Sequence, residues 1–187
     1  MMLEVIYRGH VVILDISSTL DLAVLGLVLR RPQPLASLCP AVQALMAPWA
    51  SPTVEVIEGR VTQLTGRGEL AVAGDAVSAT GSGRRAMIEL MQRGMPEQYH
   101  ALALAVEAVK LACLDLLDAR LQAAVAADLA AARERCRLRL SARLASSDQH
   151  PPAVALGLRH QLRLLETGLE VLQLHLVPSV DRALVQA

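Results

Sequence analysis

Apolar positions recur along this chain in two rhythms, and the change between them falls near residue 84. Between residues 54 and 73, short runs rich in Val, Ile, Leu and Thr (54–58, 61–65 and 69–73) are broken by Gly59, Gly66, Gly68 and Gly74. Such runs predict a meander of short strands joined by tight turns. From Arg84 onwards a spacing of three and four takes over, which predicts helices to the end of the chain. A first helix over 84–93 stops at Gly94 with Pro96 just beyond. A long pattern then spans about 97–144, in which Leu114, Leu117, Leu121, Val125, Leu129, Ala132, Cys136, Leu140 and Leu144 hold one face of a nearly straight helix. After a loop at 146–152, Leu158, Leu162, Leu165, Leu169, Leu172 and Leu176 recur at 4,3,4,3,4, a heptad seam that Pro178 ends or kinks. The loop is short enough to fold the last helix antiparallel on its predecessor.

The first fifty residues read as two short strands, 3–7 and 11–14, and a helix over 20–29 with its N-cap in Ser17-Ser18-Thr19. Pro32, Pro34 and Pro40 interrupt the pattern, and a second short helix covers 41–46. Between the two rhythms lies Gly81-Ser82-Gly83. Its glycines are expected to supply backbone conformations closed to other residues, and Ser82 to cap the helix that follows. The expected fold class is α+β: a small antiparallel sheet packed with helices, followed by a long helical hairpin. The expected division is an α+β domain over 1–117 and a helical extension over 118–187.

Composition makes the core aliphatic. The chain has 187 residues, 53% hydrophobic, with 2% aromatic and no Phe. Its formal net charge is +0, from 18 basic and 18 acidic residues, so nothing global marks a nucleic-acid or anionic-membrane partner. The longest early apolar run, 20–29, is too short to cross a bilayer. Cys39, Cys113 and Cys136 match neither a metal spacing nor a disulfide framework, and five scattered histidines form no metal motif. A cytoplasmic protein with no cofactor and no metal is expected.

Residues 54 to about 117 resemble the C-terminal half of proteasome-β-like N-terminal-nucleophile hydrolases. The resemblance rests on a strand and turn at 54–59, the Gly81-Ser82-Gly83 turn after a strand, and the two helical patterns at 84–94 and 96–112. It implies a hydrolase scaffold with Ser82 at the turn serine that assists the nucleophile. That family's nucleophile is a terminal Thr, Ser or Cys whose own α-amine acts as base. This chain begins Met1-Met2-Leu3, and its single lysine, Lys110, falls in a late helix rather than in the early strand that the family uses. The resemblance therefore implies a shortened relative without catalytic residues.

The leading expectation is a non-catalytic structural or assembly protein. It would act through helix-mediated self-association or a helical protein partner, along Leu158, Leu162, Leu165, Leu169, Leu172 and Leu176. One alternative is an amide or peptide hydrolase of the N-terminal-nucleophile type, with its site near Ser82. Another is nucleic-acid binding through Arg133, Arg135, Arg137, Arg139 and Arg143. On a helix Arg135, Arg139 and Arg143 form one row and Arg133 and Arg137 a second. With no aromatic interleaved for base stacking, a solvated face or a salt-bridge row is the expected role, and the pattern argues against nucleic acid.

Overall fold

The computed structural model describes residues 14–47, 49–96, 101–146 and 151–185, with side chains as far as Glu170. The strand expected at 3–7 and all but Leu14 of the strand expected at 11–14 lie outside them. Among the described residues the order is α1 (Ile16–Arg30), β1 (Gln33–Pro34), α2 (Leu35–Met46), α3 (Val54–Gly66), β2 (Leu70–Ala73), β3 (Ala76–Ala79), α4 (Gly81–Gln92), α5 (Ala101–Cys113), α6 (Ala119–Ala145) and α7 (Pro152–Val185). The three short strands form one antiparallel sheet in the order β1-β3-β2, with Gln33 opposite Val77 and Leu70 opposite Ala79. The fold is thus α+β, a small antiparallel sheet packed with helices and followed by the α6–α7 hairpin.

Helix α1 is the centre of the N-terminal part. Residues 19–26 and Val28 are buried, so it is apolar nearly all round, as a helix covered on every side must be. It packs on α2, α3, α4 and α5. Its cap is Asp15 rather than the expected Ser17-Ser18-Thr19: the Asp15 carboxylate accepts from the Ser18 N–H at 2.7 Å. That bond holds the Asp15 pKa below its ordinary value. Where α1 passes α5, Gly26 gives the room. A Cβ there would lie 2.2 Å from Cys113 Sγ.

Two sequence expectations fail in the N-terminal part. Helix α2 begins at Leu35, not after Pro40, and carries Pro40 in its second turn. The proline forfeits only the bond to the Ala36 carbonyl, and both residues are exposed to water. The strands expected at 54–58 and 61–65 are one helix, α3. The β-branched residues suggested strands, but Ile57, Val61 and Leu64 fall four and three apart and are buried together on one helical face. Tertiary burial outweighs the modest helix penalty of Val, Ile and Thr.

Helix α3 ends in a Schellman arrangement. Gly68 has φ +70, the Glu69 N–H reaches the Leu64 carbonyl at 2.9 Å, and the Gly68 N–H reaches that of Thr65 at 2.9 Å. The chain then makes the β2–β3 hairpin, whose two-residue turn, Gly74-Asp75, has φ +63 at its first position, as a type II′ turn requires.

The long pattern expected over 97–144 is two helices. Helix α5 ends in a 3₁₀ turn over Leu114–Leu116, and Asp118 caps α6 by accepting from the Leu121 N–H at 2.9 Å. Arg30 fixes this corner with a bidentate pair to Asp115, one bond being 2.8 Å. The pair lowers the Asp115 pKa, first through the hydrogen bond from Arg30. Helix α7 runs through Pro178 rather than ending there.

Lys110 is almost fully buried on α5, at 1% exposure, and donates to the Arg93 carbonyl at the C-terminal end of α4. A cation there is well placed against the helix dipole. Burial nevertheless lowers its pKa from 10.5 to about 8, against a raising pull from Asp128. A lowered lysine pKa means that the unfolded chain binds more protons between about pH 8 and 10.5. Stability contributed at this site therefore rises with pH across that window, by on the order of 3 kcal/mol. Chemical denaturation of wild type and Lys110→Met from pH 7 to 10.5 checks it, the rise being present only in wild type. The paired comparison cancels Cys113, whose burial pushes the thiol up to about 12 and works the other way above pH 9.

Candidate nucleic-acid interface

Helices α1, α2 and α3 pack on one another, seven residues (47–53) separate α2 from α3, and the β2–β3 hairpin follows α3 directly. Three helices with a hairpin pinned to β1 form a winged helix-turn-helix. In a helix-turn-helix the second helix enters the major groove of DNA. Here that helix is α3, and the wing is β2–β3.

The exposed side of α3 carries Glu55, Val56, Glu58, Gly59, Thr62 and Gln63, and the wing exposes Ala71, Val72, Ala73 and Asp75. Basic residues are few. From Pro32 to Gly83 there are two arginines against four carboxylates, a net charge of −2. Both arginines reach Asp21 of α1, whose side chain is 7% exposed, Arg60 from a largely covered position and Arg67 from an exposed one. Arg60 donates Nε to Asp21 Oδ1 at 2.7 Å and Nη2 to Oδ2 at 2.5 Å, while its Nη1 reaches Gln63. Arg67 Nη2 shares Oδ2 at 3.0 Å and also bonds Glu69, which raises the Arg67 pKa. One buried carboxylate thereby ties α1 to α3 and to the start of the wing.

The Gly81-Ser82-Gly83 segment has a different role from the one expected. Thr80, not Ser82, caps α4: its hydroxyl accepts from the Gly83 N–H at 3.1 Å and donates to the Gly68 carbonyl at 2.7 Å. Ser82 lies in the first turn, where its hydroxyl accepts from Arg85. Neither Gly81 nor Gly83 has a positive φ. Gly83 is required by proximity instead, since a Cβ would sit 2.1 Å from the Glu69 backbone oxygen.

The arginines of α6 do not make two parallel solvent rows. Arg133 points inward to an ion pair with Glu107 of α5, at 14% exposure, and Arg137 holds Glu134 at 2.6 and 2.7 Å. Arg135, Arg139 and Arg143 are exposed, with Arg139 Nη2 3.7 Å from Cys136 Sγ. On α7, Leu158 and Leu165 are buried and Leu162 and Leu169 half-buried, within a helix packed along α6. The side chains of Leu172 and Leu176 lie outside the described residues. No three His, Cys, Asp or Glu residues converge as a metal site among the described residues, and no helix there is long and apolar enough to cross a membrane.

No protein-family model matches the sequence, and no curated protein does. The solved structures similar to this chain include PadR from Bacillus subtilis, at 17% identity and a TM-score of 0.43, covering 89% of this chain and 97% of that one. The transcriptional regulator PadR in a second crystal form is similar at 16% identity and a TM-score of 0.42, covering 86% and 99%. PadR in complex with operator DNA is similar at 16% and 0.38, covering 86% and 98%.

The hydrolase resemblance is withdrawn, because the strand at 54–58 on which it rested is part of the helix α3. The hydrolase site near Ser82 goes with it, as does the structural or assembly protein acting through its leucine seam. The case against nucleic acid fails too. It rested on charge density and aromatics, whereas residues 16–79 build a winged helix-turn-helix.

Sequence reasoning missed the α3 face. The one available signal was the four-and-three spacing of Ile57, Val61 and Leu64, which leaves the polar positions of the same segment on the opposite side.

Proposed function

We propose that this protein is a cytoplasmic DNA-binding transcriptional regulator that reads duplex DNA through α3, with the β2–β3 hairpin alongside. The observation that carries the reading is the arrangement of residues 16–79: α3 is buried on one face against α1 and α2 and exposed on the other, beside an exposed wing. The clamp of Arg60 and Arg67 on Asp21 fixes α3 and the wing relative to α1, so that the reading surface is preorganised. The same clamp engages Arg60, at 17% exposure, more completely than Arg67, at 47%. Hydrogen exchange with and without bound duplex tests it: the amides of α3 and β2–β3 are expected to gain protection.

A further inference from the structure

The exposed face of α3 contains a glycine for which the protein itself has no need. Gly59 is in mid-helix, its φ is not positive, and a Cβ placed on it would meet nothing within 4 Å. Glycine at such a position weakens a helix relative to alanine, and it is otherwise used where a backbone must approach a ligand closely. On the helical wheel Ile57, Val61 and Leu64 mark the buried side, and Glu55, Gly59 and Thr62 form the outermost row opposite them. The absent side chain therefore falls in the middle of the surface turned towards a partner, one turn beyond a carboxylate.

The chemistry of that row selects among bases. A carboxylate only accepts hydrogen bonds. In the major groove cytosine offers the N4 amino donor alone, adenine sets its N6 donor beside an N7 acceptor that repels a carboxylate, and guanine at O6 and N7 and thymine at O4 offer acceptors. The backbone N–H of Glu55 itself, and after it Thr53, lower the Glu55 pKa and favour the ionised form. The carboxylate is exposed on the helix surface. Val56 beside it is 47% exposed and suits a thymine methyl.

Resting on the DNA-binding reading, we propose that Glu55, Gly59 and Thr62 form the base-reading edge. Its preferred half-site then carries a cytosine whose N4 amino group donates to Glu55, at a point where Gly59 lets the helix backbone settle against the groove floor. Selection of the full-length protein on randomised duplex DNA, followed by titration of the recovered duplex, tests this. The recovered sites are expected to share a cytosine, and Glu55→Gln to reduce the preference for it about tenfold. Gly59→Ala is expected to raise Tm by about 2 °C and yet weaken the recovered duplex about tenfold. A Gly59→Ala protein that is stabilised and binds as wild type overturns the edge, as does a selected site whose base preference ignores residue 55. If wild type, folded and with its Tm intact, recovers no duplex at all, the DNA-binding reading itself falls.

Discussion

Glu107→Ala is expected to destabilise the protein by about 3–5 kcal/mol, although Glu107 is far from the α3 face. The carboxylate is 3% exposed on α5 and pairs with Arg133 of α6. Removing it strands a guanidinium that has no other described route to a counter-charge. The pair is not well satisfied as it stands: both Glu107 oxygens and Arg133 Nε and Nη1 lack an aligned hydrogen bond. Gly168 of α7 completes the site, because a Cβ there would lie 1.2 Å from Arg133 Nη1. The arginine thus passes into the space that a missing side chain leaves, and α5, α6 and α7 meet around it. A buried ion pair costs desolvation of both partners, so replacing both by apolar residues is expected to recover most of the loss. Thermal unfolding of Glu107→Ala and of the double variant Glu107→Leu with Arg133→Leu checks this. A single variant with Tm within a degree of wild type would show that Arg133 finds solvent unaided.

Gly83→Ala is the second large effect, expected at about 3 kcal/mol and a fall in Tm of about 6–12 °C. The new methyl would meet the Glu69 carbonyl, which is backbone and already accepts from the Thr80 N–H at 3.0 Å. Helix α4 must then lift from β2, loosening the Thr80 cap and the packing of Met87, Leu90 and Met91. Gly81→Ala is the control. No atom lies within 4 Å of a Cβ there and its φ is ordinary, so it is expected to be neutral or slightly stabilising. Equal effects at the two glycines in thermal unfolding would contradict the packing explanation.

The contrast between Gly81 and Gly83 shows what the sequence makes legible. Helical periodicity is local, so α1, α4 and the α6–α7 hairpin can be read from spacing and stop signals, while the caps of α1 and α4 fall at Asp15 and Thr80 rather than at the serines expected. The α3 segment misleads because Val54, Val56, Val61, Thr62 and Thr65 favour strands locally while Ile57, Val61 and Leu64 supply the helical face that folding buries. The break between α5 and α6 is hidden because the leucine spacing at 114, 117 and 121 continues through a 3₁₀ turn. Asp118, its cap, was in plain view. Long-range pairs leave no such trace. Nothing adjacent to Asp21 announces Arg60 and Arg67, and nothing near Arg133 announces Glu107. A charge count therefore pointed to the α6 arginines, one of which faces inward, and away from the proposed reading surface, whose chemistry is carboxylate, hydroxyl and bare backbone.

The account stands on α3 and the wing being the surface that meets DNA. Hydrogen exchange of the full-length protein, free and saturated with a selected duplex, reads that surface directly. The expected result is protection gained over Val54–Gly66 and the β2–β3 hairpin, with α6 unchanged. Protection along α6 around Arg135 and Arg139 with α3 unaltered would contradict it.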